Sequence, residues 1–146
     1  MNTYLLDANV LIALAWPQHV HHATAHKWFA KEGKRAWASC AITQLAFVRI
    51  SSNPGIISSA VSPREACGVL EKITKLRGHR FWNETAEVCS LDELKSIALV
   101  GYRQVTDAYL IGLARLHQGH VATLDRGMET LAPVRPGESS IVELIE

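Results

Sequence analysis

Short apolar runs alternate with longer stretches in which apolar positions recur every three or four residues, from one end of the 146-residue chain to the other. Tyr4-Leu5-Leu6 predicts a buried strand, followed by a helix that Pro17 stops. Residues 20–32 suit an amphipathic helix with Ala25, Trp28 and Phe29 inward and Lys27 and Lys31 outward. Arg35 to Cys40 predicts a second strand, and Thr43 to Ser52 a helix closed by Asn53-Pro54-Gly55. Ser62-Pro63-Arg64-Glu65 combines a cap, a proline at the first helical position and a capping-box acid, so a helix should run from there to about Arg77. His79 to Trp82 follows as a third strand. Ser90-Leu91-Asp92-Glu93 reads as a second capping box, opening a short helix that ends before Gly101. Thr106 should cap the helix DAYLIGLARLHQ, whose apolar residues lie on nearly every face and make it central. His120 to Leu124 and Ile141 to Ile145 complete the set of strands.

Strands alternating with helices imply an α/β fold with a central parallel sheet and helices on both faces. No repeat, low-complexity tract or linker interrupts the chain, so residues 1–146 read as a single domain. Sheets of this kind bind ligands at the carboxyl ends of their strands. Asp7 lies just past the first strand, Asp125 just past the strand at 120–124, and Asp107 in the first turn of the helix leading into that strand. All three should therefore face one crevice. Singly, Asp107 also fits as an acid favoured by a helix N-terminus, and Asp125 as a turn residue. Asp7, between Leu5-Leu6 and Val10-Leu11-Ile12, has little local reason to be there. Three converging carboxylates repel one another unless a cation neutralises them. An all-oxygen site suits Mg²⁺ or Mn²⁺, ions that activate water and stabilise charge on a phosphoryl group. Thr123 is placed to hydrogen-bond within this site, and Ser39 and Thr43, near another strand end, to touch phosphate.

Composition narrows the classes. With 48% hydrophobic and 20% charged residues the chain is neither disordered nor a coiled coil. A net charge of +1 excludes a polycationic strategy, yet it hides a division: residues 1–80 carry +6 and residues 81–146 carry −5. The basic half includes Arg64, Lys72 and Lys75, candidates for contact with phosphates as well as an ordinary wet helix face. Cys40, Cys67 and Cys89 are odd in number, lack C-x-x-C spacing and read as small buried residues of a reducing compartment. No apolar run is long enough for a membrane span, so a cytoplasmic protein is expected. His19, His21, His22 and His26 cluster, with the last two at zinc-sharing spacing but no third ligand, which favours a solvated or dimer-facing group. Neither G-x-G-x-x-G nor a P-loop occurs, which weakens a phosphohydrolase acting on small esters.

Leu6-Asp7-Ala8-Asn9-Val10-Leu11-Ile12 resembles the first motif of the PIN-domain nucleases. Thr106-Asp107-Ala108-Tyr109-Leu110 is similar to their third, and Thr123-Leu124-Asp125-Arg126-Gly127-Met128 to their last. Within that group the chain is most similar to VapC-type toxins, through Trp28-Phe29 and through Trp37 followed by Thr43-Gln44-Leu45-Ala46-Phe47-Val48-Arg49-Ile50. The resemblance covers about residues 3–145. It implies a PIN-like three-layer α/β/α fold and a metal-dependent endoribonuclease that cuts structured RNA, a transfer RNA before a ribosomal one. It also implies silencing by a cognate antitoxin and a homodimer. Asp7, Asp107 and Asp125 carry over as metal ligands and catalytic residues, and Asn9 as a motif residue orienting Asp7 or a water, although a helix-cap role suits Asn9 as well. In one respect the chain departs from the family. The second acid, usually Glu, falls at Gln44, and no Asp or Glu occurs between Glu32 and Glu65. A neutral amide there should raise the metal requirement, or mark a module that binds RNA or a protein without cleaving; as an alternative, Gln44 is an ordinary helix residue.

Overall fold

A computed structural model describes residues 2–96, 98–134 and 136–146. Five parallel strands form one sheet: β1 (Tyr4–Leu6), β2 (Trp37–Ser39), β3 (His79–Phe81), β4 (His120–Thr123) and β5 (Val142–Leu144). Their order is β3-β2-β1-β4-β5, so the chain winds outward one way from β1 and then the other. The winding reverses between β1 and β4, and the crevice at such a switch point is where α/β sheets place their sites.

Helices α1 (Ala8–Ala15), α2 (His22–Lys31), α3 (Ala41–Ser51) and α4 (Pro63–Thr74) supply one face, and α5 (Val105–Leu116) the other. The strand alternation sorts the core. Tyr4 and Leu6 join Leu11, Phe47 and Leu70 on one side, while Leu5 joins Leu110, Leu113 and Val121 on the other. Each fully buried leucine contributes about 2 kcal/mol to holding the layers together. The arrangement is the three-layer α/β/α fold with a parallel sheet that the alternation of elements predicts.

Local chemistry explains most boundaries. The Ser62 hydroxyl accepts from Glu65 N–H and donates back to the Glu65 carboxylate, with Pro63 in the first turn. Gly78 turns the chain from α4 into β3 at φ +93°, where any side chain would meet the Lys34 carbonyl. Helix α3 begins at Ala41, ahead of the predicted Thr43, because the Thr43 hydroxyl binds both N–H and carbonyl of Cys40.

Three expectations need correction. The helix expected after Ser90 is instead a pair of 3₁₀ turns, Val88–Ser90 and Asp92–Lys95; Ile97, within that stretch, lies outside the described residues. Its supposed capping acid, Glu93, is drawn to Arg115 on α5 by two hydrogen bonds of 2.8 and 2.9 Å. Nor does Thr106 cap α5. Gln104 holds the cap position, its side-chain oxygen accepting from Val100 and Gly101 N–H. Finally, only Cys40 of the three cysteines is buried. Cys67 lies on the wet side of α4 and Cys89 in a surface turn. Among the described residues no helix is long and apolar enough to cross a membrane.

Candidate functional site

The carboxyl ends of β1 and β4 are joined by side chains more than a hundred positions apart. Asp7 continues the ladder, its N–H donating to the Ala122 carbonyl, and then caps α1 by accepting from Ala8 N–H at 2.8 Å. Its second oxygen accepts from the Thr123 hydroxyl at 2.8 Å. That hydroxyl, fully buried, in turn accepts from the Asn9 amide at 3.3 Å and from Asp125 N–H at 3.0 Å. One donor and two acceptor positions are thereby all used. Asn9 closes the bracket by accepting from Leu124 N–H. Asp125 accepts from Gly127 N–H, which fixes its carboxylate over a 3₁₀ turn, Arg126–Leu131.

Asp107 enters from the opposite side, in the first turn of α5. Among the described residues its carboxyl has neither hydrogen bond nor ion pair. Burial pushes it up to about 6, and the charges of Asp7 and Asp125 push in the same direction. Asp7 is also raised, first by burial and further by Asp125, against the lowering effect of Thr123 and Ala8. These mutual effects bring the three predicted acids to one locality, as their places at the strand ends require. No lysine or arginine among the described residues pairs with any of them.

The donor set is hard oxygen without thiolate or imidazole, which fits Mg²⁺ or Mn²⁺ and not zinc. Among the described residues no three His, Cys, Asp or Glu groups stand close enough to hold an ion unaided.

The remaining candidates separate. Gln44, on α3, donates its amide N–H to Ser39 Oγ at 2.9 Å, and the same oxygen lies 2.8 Å from His79 Nε2. Ser39 and Thr43 are fully occupied by such internal bonds and are buried, so neither is offered to phosphate. Arg64, Lys72 and Lys75 are exposed along α4. Because α4 returns the chain to the start of β3, Arg64 lies toward the acidic end and Lys75 about 16 Å along the axis from it. His22 and His26 donate to the Ala13 and Leu14 carbonyls at 2.7 and 2.8 Å, satisfying the end of α1. The ring nitrogens that a zinc ion would need are thus committed in part to the backbone. Glu84 was not anticipated. It accepts from Ala41 N–H at 3.1 Å, beside the start of α3. Its only sequence signal is an acid shortly after a predicted strand.

The chain matches the PIN domain family over residues 4–132. It is 44% identical over 132 residues to Ribonuclease VapC38 of Mycobacterium tuberculosis, covering 90% of this chain and 92% of that relative. Ribonuclease VapC39 of the same species is 40% identical over 126 residues, covering 86% and 91%. Among solved structures, VapC20 of Mycobacterium tuberculosis, a sarcin-ricin loop cleaving toxin, superposes with a TM-score of 0.65 at 15% identity over 91% of this chain and 99% of that one. VapBC2 from Rickettsia felis, bound to a promoter DNA fragment, gives 0.62 at 14% identity over 99% of each chain. At such identities these two structures speak for the fold alone.

Proposed function

The chain belongs to the PIN-domain family, with VapC ribonucleases as its relatives, and on that premise we propose that it is a metal-dependent endoribonuclease toxin restrained by a cognate antitoxin. The substrate is structured cellular RNA, with transfer RNA the first candidate. The observation that carries this reading is the meeting of Asp7, Asp107 and Asp125 at the β1/β4 switch point, with no lysine or arginine among the described residues paired with them.

Asp7, Asp107 and Asp125 are the residues that would hold Mg²⁺ or Mn²⁺. Bound there, the ion supplies an activated water and offsets charge on the phosphoryl group. The chain's own part is positioning. Thr123 and Ala8 N–H fix both oxygens of Asp7, leaving its outward lone pairs available. Asn9 and Thr123 hold the end of β4, and with it Asp125. Asp107, without a partner among the described residues, is free to turn toward a cation. Arg64 is the basic residue on α4 best placed to meet RNA backbone near this end, with Lys72 and Lys75 extending the track. The toxin acts as a homodimer of single-domain chains in the cytoplasm.

A second reading draws on the neutral Gln44 and the lack of a preformed three-ligand cluster: a PIN-like module that binds RNA or a protein partner without cleavage. One experiment separates the two. Antitoxin-free protein is incubated with total cellular RNA, with Mg²⁺, with Mn²⁺ and with EDTA, beside Asp7→Asn. Discrete fragments that disappear with EDTA and with the variant support the nuclease. Intact RNA under both metals, from folded protein, supports the module.

A further inference from the structure

Tyr102 is 81% exposed, whereas Tyr4 and Tyr109 are buried. It opens the 3₁₀ turn Tyr102–Gln104, which runs directly into α5. Helix α5 descends from the acidic crevice toward the start of β4, with Asp107 in its first turn, so the 3₁₀ turn projects past the carboxyl end of the sheet. At a rise of about 1.5–2 Å per residue, Tyr102 stands about 9 Å beyond Asp107 along the axis. That is the side on which a substrate of the crevice must lie.

The turn is held in shape by Gln104, whose side-chain oxygen accepts from Val100 and Gly101 N–H at 2.8 and 3.2 Å. Arg103 is four positions before Asp107, a spacing at which opposite charges on a helix pair. Its Nε–H goes instead to the Tyr102 hydroxyl at 3.2 Å, and its guanidinium carbon lies 5.7 Å from the ring centroid, within cation–π range. In the acidic half of the chain Arg115 and Arg126 are paired with Glu93 and Glu146, but Arg103 pairs with no acid among the described residues. One face of the Tyr102 ring thus carries a cation, and the other is open to solvent. A flat π-surface beside a guanidinium suits an unpaired nucleobase, which stacks on the ring, and its phosphate, which pairs with the cation. Arg103 disfavours the basic peptide that an acidic crevice would otherwise draw.

We infer that Tyr102, backed by Arg103, stacks an unpaired base of the RNA beside the acidic crevice. The inference rests on the ribonuclease reading above and adds to it a contact that discriminates among cut positions. A base can lie on Tyr102 only where it is free to leave its own stack, so the adjoining bond must belong to a loop, a bulge or a single strand.

Fluorescence anisotropy tests it, with an end-labelled single-stranded RNA of about 12 nucleotides and with the same RNA fully paired, in EDTA so that no metal-dependent step runs. Tyr102→Ala should weaken binding of the single strand about tenfold and leave the duplex within about twofold. Tyr102→Phe, which keeps the ring and gives up the hydroxyl, should bind the single strand within about threefold of the unaltered chain. The side chain is exposed, so both variants should melt as the unaltered protein does. Unchanged single-strand affinity in Tyr102→Ala, an equal loss on both RNAs, or no recovery with Tyr102→Phe overturns the inference and leaves the ribonuclease reading intact. Unchanged RNA binding together with an altered oligomeric state of Tyr102→Ala in sedimentation also overturns it, and assigns the face to a contact between copies of this chain. Binding of neither RNA by the unaltered protein overturns it too, and metal-dependent cleavage of cellular RNA by the same preparation would show that the ribonuclease reading survives.

Discussion

Asp7 and Asp107 face the same crevice from opposite layers and are treated in opposite ways. Asp7 is the more deeply set, yet both oxygens are hydrogen-bonded and it is tied to the backbone on either side. Asp107 is half-buried and, among the described residues, unbonded, and it too is raised, to about 6. Burial is the first cause of the rise in both; at Asp7 the hydrogen bonds from Thr123 and Ala8 oppose it, and at Asp107 the charges of Asp7 and Asp125 add to it. Asp7 is an anchor that the fold keeps in place. Asp107 is the looser member, whose charge burial and its acidic neighbours both disfavour.

The sharpest way to break this comparison is Asp107→Asn. If the proposed nuclease reading holds, RNA cleavage should fall by about 10²–10³-fold, since charge stabilisation at the reacting phosphate is lost. Gel assays with Mg²⁺ would show it, and normal cleavage would remove Asp107 from the site. Thr123→Val probes the anchored side: it strands the Asp7 oxygen, the Asn9 amide and Asp125 N–H together, and urea unfolding should report a loss of about 2 kcal/mol. A loss below about 0.5 kcal/mol would show that water replaces the hydroxyl without penalty.

The labile side makes a pH prediction. Folded Asp107 keeps its proton up to about pH 6, whereas the unfolded carboxylate releases it near ~4. The folded state therefore binds more protons in that window, and metal-free protein loses stability as pH rises through it. Asp107→Asn should be more stable than the unaltered chain by about 1 kcal/mol at pH 7.5, allowing for solvent screening, and equal to it at pH 4. Thermal melts in EDTA at the two pH values check the sign; a variant equally stable at both would contradict it. The smallest effect concerns the approach of RNA. Arg64→Ala should reduce the salt slope of RNA binding by about 1, and Lys75→Ala by less, because Lys75 lies at the far end of α4. Fluorescence anisotropy across a salt series would rank them, and an equal effect would mean that RNA runs the length of the helix.

What could be read from sequence was whatever local chemistry decides. β1, the Ser62 cap of α4, and the placing of Asp7, Asp107 and Asp125 at strand and helix ends follow from neighbours within four residues. Failures came where distant partners outbid local ones. Glu93 had a capping serine three residues away but pairs with Arg115, and the expected helix gives way to 3₁₀ turns. Thr106 had the right residue type for a cap, yet Gln104 folds back on Val100 and Gly101 and starts α5 earlier. Glu84 carries no local signal because its partner, Ala41, lies 43 positions upstream.

The Asp7–Thr123 bond also has a meaning in time. Its two residues are 116 positions apart, and Asn9 must wait almost as long for the same hydroxyl. During synthesis the N-terminal strand emerges first, and domains form as their parts become available. Until β4 has left the ribosome, Asp7 has no hydroxyl to hold its second oxygen and Asp125 does not yet exist. A prematurely terminated chain, whatever structure its first hundred residues adopt, lacks two of the three acids of the proposed cutting site, Asp107 and Asp125. Completion of the polypeptide is thus itself a safeguard, acting before any antitoxin is needed.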